Sequence, residues 1–185
     1  MMAKANSPLR FAVVFVVLFL GFYYFNIAFF GITSPGKFYS PFLAGHLNYI
    51  KTLRDILLWC SAAILKCFGF NVITNDYSLL VAGHGMIRLV YSCLGLGVMS
   101  FFGAFVIAYP KPVKAKLIFL LVGILAIQFL NIIRFVLLAL FWNKQNQQII
   151  DHHTIFNALI YVLIGISLYF WVKAEIGIKT NHAKN

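Results

Sequence analysis

Apolar runs near residues 10–30, 93–109, 117–142 and 154–172 constrain this chain more than any other feature of it. A helix rises 1.5 Å per residue, so roughly 17–25 apolar residues cross the ~30 Å hydrocarbon layer of a bilayer. Of the 185 residues, 62% are hydrophobic and 10% charged, whereas soluble domains carry about 25% charged residues. A soluble fold could not wet such a surface. The expected fold class is an all-α integral membrane helical bundle with about four transmembrane helices, an amphipathic helix and a short extracytoplasmic β-hairpin, all in a single domain over residues 1–185.

The first run lies behind Lys4 and Arg10, is long and aromatic, and has no small-residue cleavage site after it. It therefore reads as a span and not as a cleaved signal peptide. Residues 31–46 hold Pro35, Gly36, Pro41 and Gly45 and read as a loop. In 47–68, Leu47, Ile50, Leu53, Leu57, Ile64 and Phe68 recur at helical spacing while Lys51, Arg54, Asp55 and Lys66 interrupt them. That pattern predicts an amphipathic helix. The runs Tyr77 to Ala82 and Met86 to Tyr91 flank Gly83-His84-Gly85 and predict a hairpin, with His84 as a turn residue at its tip. Open strand edges cannot face lipid, so the hairpin belongs outside the membrane or against protein.

Fifteen Lys and Arg oppose four acidic residues, a formal charge of +11. In a membrane chain such an excess sets orientation and meets anionic lipid head groups. No binding motif for nucleic acid accompanies it, so nucleic acid is not an expected partner. Cytoplasmic segments retain Lys and Arg, which assigns the N-terminus (1–9), the basic segment 110–116 and the tail 173–185 to the cytoplasm. Residues 31–92 then fall on the extracytoplasmic side.

On that topology Cys93 and His152-His153 begin two spans at one membrane level. Arg134 precedes Trp142 by eight residues, about 12 Å along a helix, within reach of that level for a long side chain. An arginine inside a span costs roughly 2.5–3.5 kcal/mol on insertion scales, so it faces the bundle interior and has a role. Gln128, Asn131 and Arg134 repeat every three positions and form a polar stripe; the plainer reading is interhelical hydrogen-bond glue, which suits Gln128 best. His153, Asn157 and Tyr161 share a helix face, so Asn157 is placed to orient the imidazole. Asp151 is the only nearby carboxylate, which is too few ligands for zinc; no metal and no cofactor are expected.

Cys60 and Cys67 stand seven apart on one predicted helix, about 10 Å, too far to bridge, and read as buried packing residues. Cys93 alone would read the same way. A thiol becomes a nucleophile beside a base or cation, and His153 and Arg134 would supply both.

Tyr91-Ser92-Cys93-Leu94-Gly95-Leu96-Gly97, Asn131-Ile132-Ile133-Arg134 and Asp151-His152-His153-Thr154-Ile155-Phe156-Asn157 resemble, in order, the Cys, Arg and His blocks of the exosortase/archaeosortase family. The resemblance covers roughly residues 64–172, including Leu65-Lys66-Cys67-Phe68-Gly69 and the hairpin before the cysteine. It implies a membrane-embedded cysteine transpeptidase or protease of the bacterial cytoplasmic membrane. Such an enzyme processes exported proteins with a C-terminal transmembrane sorting signal, through a thioester passed to water or another acyl acceptor. Carried over, Cys93 is the nucleophile, Arg134 the electrostatic stabiliser and His153 the acid/base; His152 is the alternative histidine, and Asn131 and Asn157 are supporting residues. Leu94-Gly95 stands where many members have Ser-Gly, and the chain resembles a short branch lacking additional spans. The rival expectation is a non-catalytic membrane subunit of a surface polysaccharide assembly or transport system, its polar stripe merely joining helices.

Overall fold

The computed structural model describes residues 7–36, 38–141 and 152–182, with side-chain surroundings for 8–36, 38–141 and 158–174. The chain divides into two compact units, Met1–Asn146 and Gln147–Asn185. The first contains α1 (Ser7–Thr33), α2 (Pro41–His46), α3 (Tyr49–Cys67), β1 (Val72–Thr74), β2 (Ser78–Val81), β3 (Met86–Arg88), a 3-10 turn (Tyr91–Leu94), α4 (Leu96–Ala108) and α5 (Val113–Phe141). The second is one helix, α6 (His152–His182).

Among the described residues, two helices are long and apolar enough to cross a membrane, Pro8–Thr33 and Val113–Phe141. The apolar helices Leu96–Ala108 and Ala158–Ala174 are shorter. The second expected span thus differs from its sequence reading. Cys93 is not its first helical residue, because Gly95 adopts φ 73° and breaks the chain between the 3-10 turn and α4. The 13 residues of α4 rise about 20 Å, short of the hydrocarbon thickness. Helix α5 in turn begins earlier than expected, as soon as Pro112 is passed, so half of the basic segment 110–116 is helical. Lys116 reaches back, its Nζ donating to the Ile107 carbonyl at 2.7 Å. That cation sits where α4 leaves carbonyls unpaired.

Helix α1 packs along α4 through an aromatic ladder. Phe11, Phe15, Phe19 and Tyr23 recur every four residues on one face of α1, and Phe101 and Phe105 of α4 meet the three phenylalanines edge-on. The Phe15–Phe101 and Phe11–Phe105 centroids are both 5.4 Å apart. In lipid, helices gain little from apolar burial alone, so such shape-fitted pairs, each roughly 0.5–1.5 kcal/mol, set which faces meet. Between α4 and α5 the fit depends on Gly123, where a Cβ would overlap the Phe102 ring.

Helix α3 is amphipathic, as the periodicity predicts, but its buried stripe is shifted. Ile50, Arg54, Leu57, Leu58, Ser61, Ala62 and Leu65 are buried, while Leu47 and Phe68 are 58% and 72% exposed. Arg54, which looked like an interruption of the apolar pattern, lies within the stripe. The helix starts at Asn48, whose side chain accepts from the Lys51 amide at 3.0 Å, a standard N-cap. The segment 31–46 is not wholly loop, since Pro41 opens the short α2. Cys60 is half-buried and Cys67 exposed, so the packing role expected of both fails for Cys67.

The hairpin forms as β2 and β3, paired antiparallel with Leu79 opposite Ile87. Gly83, at φ 80°, supplies the left-handed residue of its turn. A third strand, β1, joins the free edge of β2 with Val72 opposite Val81; its three residues are too few to show a period in the sequence. Leu79, Val81, Ile87 and Leu89 point inward and share one apolar core with Leu57 and Leu65 of α3, Cys93 and Leu94 of the turn, and Phe135 and Ala139 of α5. One sheet face is thereby satisfied by the C-terminal half of α5 and by α3.

Candidate active site

Cys93 sits in the 3-10 turn between β3 and α4. Val90 is extended, and the Cys93 amide donates to the Val90 carbonyl at 2.9 Å. The tight turn rotates Cys93 and Leu94 inward, leaving them 3% and 1% exposed, while Ser92 faces outward. Gly95 then reverses the chain, and the Met99 amide on the Gly95 carbonyl starts α4.

Helix α5 presents its polar stripe to this turn. Gln128 donates from Nε2 to the Leu94 carbonyl at 3.3 Å and lies 3.0 Å from the Met99 sulfur. It is the interhelical fastener its plainer reading predicts, holding α5 to the residue after Cys93. Asn131, 1% exposed, donates from Nδ2 to Gln128 Oε1 at 3.2 Å. A Cβ on Gly95 would stand 2.6 Å from that same Nδ2. The glycine is thus demanded twice, by its positive φ and by the closeness of α5. Arg134, one turn further along the stripe, is 2% exposed, and its guanidinium lies 6.0 Å from the ring centroid of Phe135. The stripe thus brings Asn131 and Gln128 against the residues that follow Cys93 and buries Arg134 on the same helix face.

Gly95 is a site residue that motif reading passed over. The sequence signal was the glycine two residues after the cysteine, but its meaning depends on Asn131, thirty-six positions away.

The turn is steadied from the other side by a polar relay through the apolar layer. Tyr49 donates to Asn26 Oδ1 at 2.6 Å, Asn26 Nδ2 to Ser100 Oγ at 3.1 Å, and Ser100 to the Leu96 carbonyl at 2.8 Å. The relay ties α3, α1 and α4 together. Individual bonds of this kind are modest, averaging ~0.6 kcal/mol, so they fix register more than they add stability. Tyr91 stacks obliquely on Phe30 with centroids 4.6 Å apart. Burial first, and then the nearby Tyr23, pushes the Tyr91 hydroxyl above its ordinary 10.0. Burial and Tyr91 do the same to Tyr49. Both phenols therefore stay protonated at neutral pH and act as donors, not bases.

His84 does more than fill a turn. Its Nδ1 lies 3.1 Å from the Leu140 carbonyl and its ring meets Phe70 edge-on at 5.1 Å. With the proton on Nδ1, it caps the last turn of the helix that carries Arg134.

The histidine block falls in the second unit. His152, His153 and Asn157 lie in the opening turns of α6, and their side chains are outside the described residues. Asp151 is also outside them. Among the described residues no group of His, Cys, Asp and Glu has metal-binding geometry.

Fold and site together define a helical membrane protein in which a buried cysteine turn is pressed against the polar stripe of a long apolar helix. The chain matches the family model described as Transmembrane exosortase (Exosortase_EpsH) over residues 4–171, and it belongs to that family. No curated protein matches it, nor does any solved structure. The match includes α1, well before the stretch in which the three blocks occur. In general terms this makes the chain a membrane-embedded sorting enzyme. The family comprises cysteine transpeptidases acting on exported proteins with C-terminal sorting signals.

Proposed function

We propose that this protein cleaves the C-terminal sorting signal of exported proteins through a thioester on Cys93, at the extracytoplasmic face of the bacterial cytoplasmic membrane. The carrying observation is the seating of the Cys93 turn against the α5 stripe, with Gln128 on Leu94 and Asn131 beside Gly95. It supports a reading in which Arg134 serves the cysteine from that same helix face. Family membership supports the same chemistry.

In this reading the substrate's tail helix lies among the four apolar segments and presents its peptide bond at the level of Cys93. The Sγ thiolate attacks the carbonyl carbon, and Arg134 stabilises the oxyanion that forms, in surroundings where low dielectric strengthens the contact. Collapse of that intermediate breaks the C–N bond, and the imidazolium of His153 gives its proton to the departing amine. His152 is the alternative donor. The acyl group remains on Cys93 as a thioester until water or an amine takes it and regenerates the thiol. Asn157 orients the histidine, and Asn131 holds the cysteine turn. The N-terminus, residues 110–116 and the tail lie in the cytoplasm.

The test co-expresses a tailed substrate with wild type, Cys93→Ala, Arg134→Ala, His153→Ala and His152→Ala. Expected are loss of processing in Cys93→Ala, Arg134→Ala and His153→Ala, and a covalent substrate adduct on wild type that Cys93→Ala lacks. Normal processing by Cys93→Ala removes the mechanism and leaves a non-catalytic membrane subunit as the reading. Because Cys67 is exposed, thiol trapping is read in a Cys60→Ser/Cys67→Ser background.

A further inference from the structure

A cavity of about 380 Å³ opens in the first unit beside the Cys93 turn, bounded by the end of α1, the start of α3 and the sheet. Lys51, Arg54 and Arg88 line it against the single carboxylate of Asp76, with Ser34 and Tyr77 also on its wall. Its charge is therefore cationic, and nothing in the thioester chemistry uses it.

Arg54 is the informative member. It is 9% exposed, and its Nε has no hydrogen-bond partner among the described residues. The nearest carboxylate oxygen, on Asp55, stands 3.9 Å away, beyond hydrogen-bond range. The guanidinium rests on the Tyr77 ring, 4.0 Å from its centroid, an interaction that orients the group but supplies no acceptor. A buried cation so weakly compensated favours an anion in the space it lines. Lys51 and Arg88 are exposed at the same cavity, where they complete a trivalent cradle.

The surroundings identify the anion. Helix α1 is long and apolar enough to cross a membrane and ends at Thr33, and Thr33 and Ser34 line the cavity. On the proposed topology this is the depth at which a span leaves hydrocarbon for the head-group layer. Immediately after it come Phe38, Phe42 and Leu47, which are 80%, 65% and 58% exposed. Short apolar segments of this kind lie at the boundary between head groups and acyl chains.

We infer that the cavity holds the phosphate of a phospholipid head group, with Arg54, Lys51 and Arg88 as its donors and the acyl chains lying over Phe38 and Phe42. A free phosphate ion fits the charge but leaves the apolar rim unused, and an acidic peptide needs no rim at acyl depth.

The test is independent of catalysis, because it reads binding to the full-length Cys93→Ala chain in detergent micelles. Dioctanoyl phosphatidylglycerol is titrated beside dioctanoylglycerol, inorganic phosphate and an acidic peptide amide. Saturable binding of the phosphatidylglycerol alone is expected, weakened about tenfold or more in Lys51→Gln/Arg88→Gln, the loss of charge-assisted hydrogen bonds at exposed positions. Arg54→Gln is expected to weaken it further. Equal binding of dioctanoylglycerol, unchanged affinity in the double variant, or binding of inorganic phosphate or the peptide as tight as that of the lipid each overturns the assignment.

Discussion

Gly95→Ala offers the sharpest probe of how the Cys93 turn is held. Gly95 sits at φ 73°, where an L-residue with a Cβ pays roughly 1–2 kcal/mol. The new methyl would also stand 2.6 Å from Asn131 Nδ2, closer than real contacts allow, so Asn131 must move. That atom is the donor in the bond to Gln128 Oε1, and losing such a bond costs about 1 kcal/mol, or up to ~3 kcal/mol if a buried group is left unsatisfied. The two effects together predict a loss of roughly 2–5 kcal/mol, read as a lower midpoint of thermal melting in detergent and as loss of substrate processing. A double-mutant cycle separates them. Asn131→Ala removes the obstructing amide, so Gly95→Ala/Asn131→Ala should be less destabilised than the sum of the single variants, by about 1–2 kcal/mol. Additive losses, or a Gly95→Ala chain that melts with wild type, would refute the account of a glycine demanded by α5.

Gly123→Val should separate α4 from α5, because its side chain must occupy the space of the Phe102 ring; a companion Phe102→Ala change should recover part of the lost melting temperature. His84→Ala should leave the Leu140 carbonyl without its ring donor and cost about 1 kcal/mol, visible as faster hydrogen exchange in the last turn of α5 and absent in variants of the exposed Lys66. The tyrosine shifts fix a pH dependence. Since the folded state holds the Tyr91 and Tyr49 protons more tightly than the unfolded state, their contribution is complete below about pH 10 and declines as pH rises past it. Tyr49→Phe/Tyr91→Phe should flatten that alkaline decline, and an unchanged pH profile of melting would count against the assignment.

The membrane class was legible because hydrocarbon imposes a one-dimensional demand, long apolar runs, that any sequence must display. Amphipathic α3 and the β2–β3 hairpin were legible for the same kind of reason, since a period of 3.6 or 2 and a Gly-His-Gly turn are local patterns. Strand β1 was not, since its three residues are too few to show a period. The polar stripe of Gln128, Asn131 and Arg134 also stood in the sequence, one face of one helix.

What that face meets was decided only by tertiary structure. Spacing could not say that α4 starts after Cys93, that Gly95 takes a left-handed conformation there, or that Asn131 fills the room a Cβ would need. Arg54 shows the limit most plainly. In the sequence it breaks an apolar pattern, while in the fold it is a buried cation at a cavity assembled from α1, α3 and the sheet. Local sequence sets which residues can leave water; the packing of segments distant in the chain determines which charge is left facing which space.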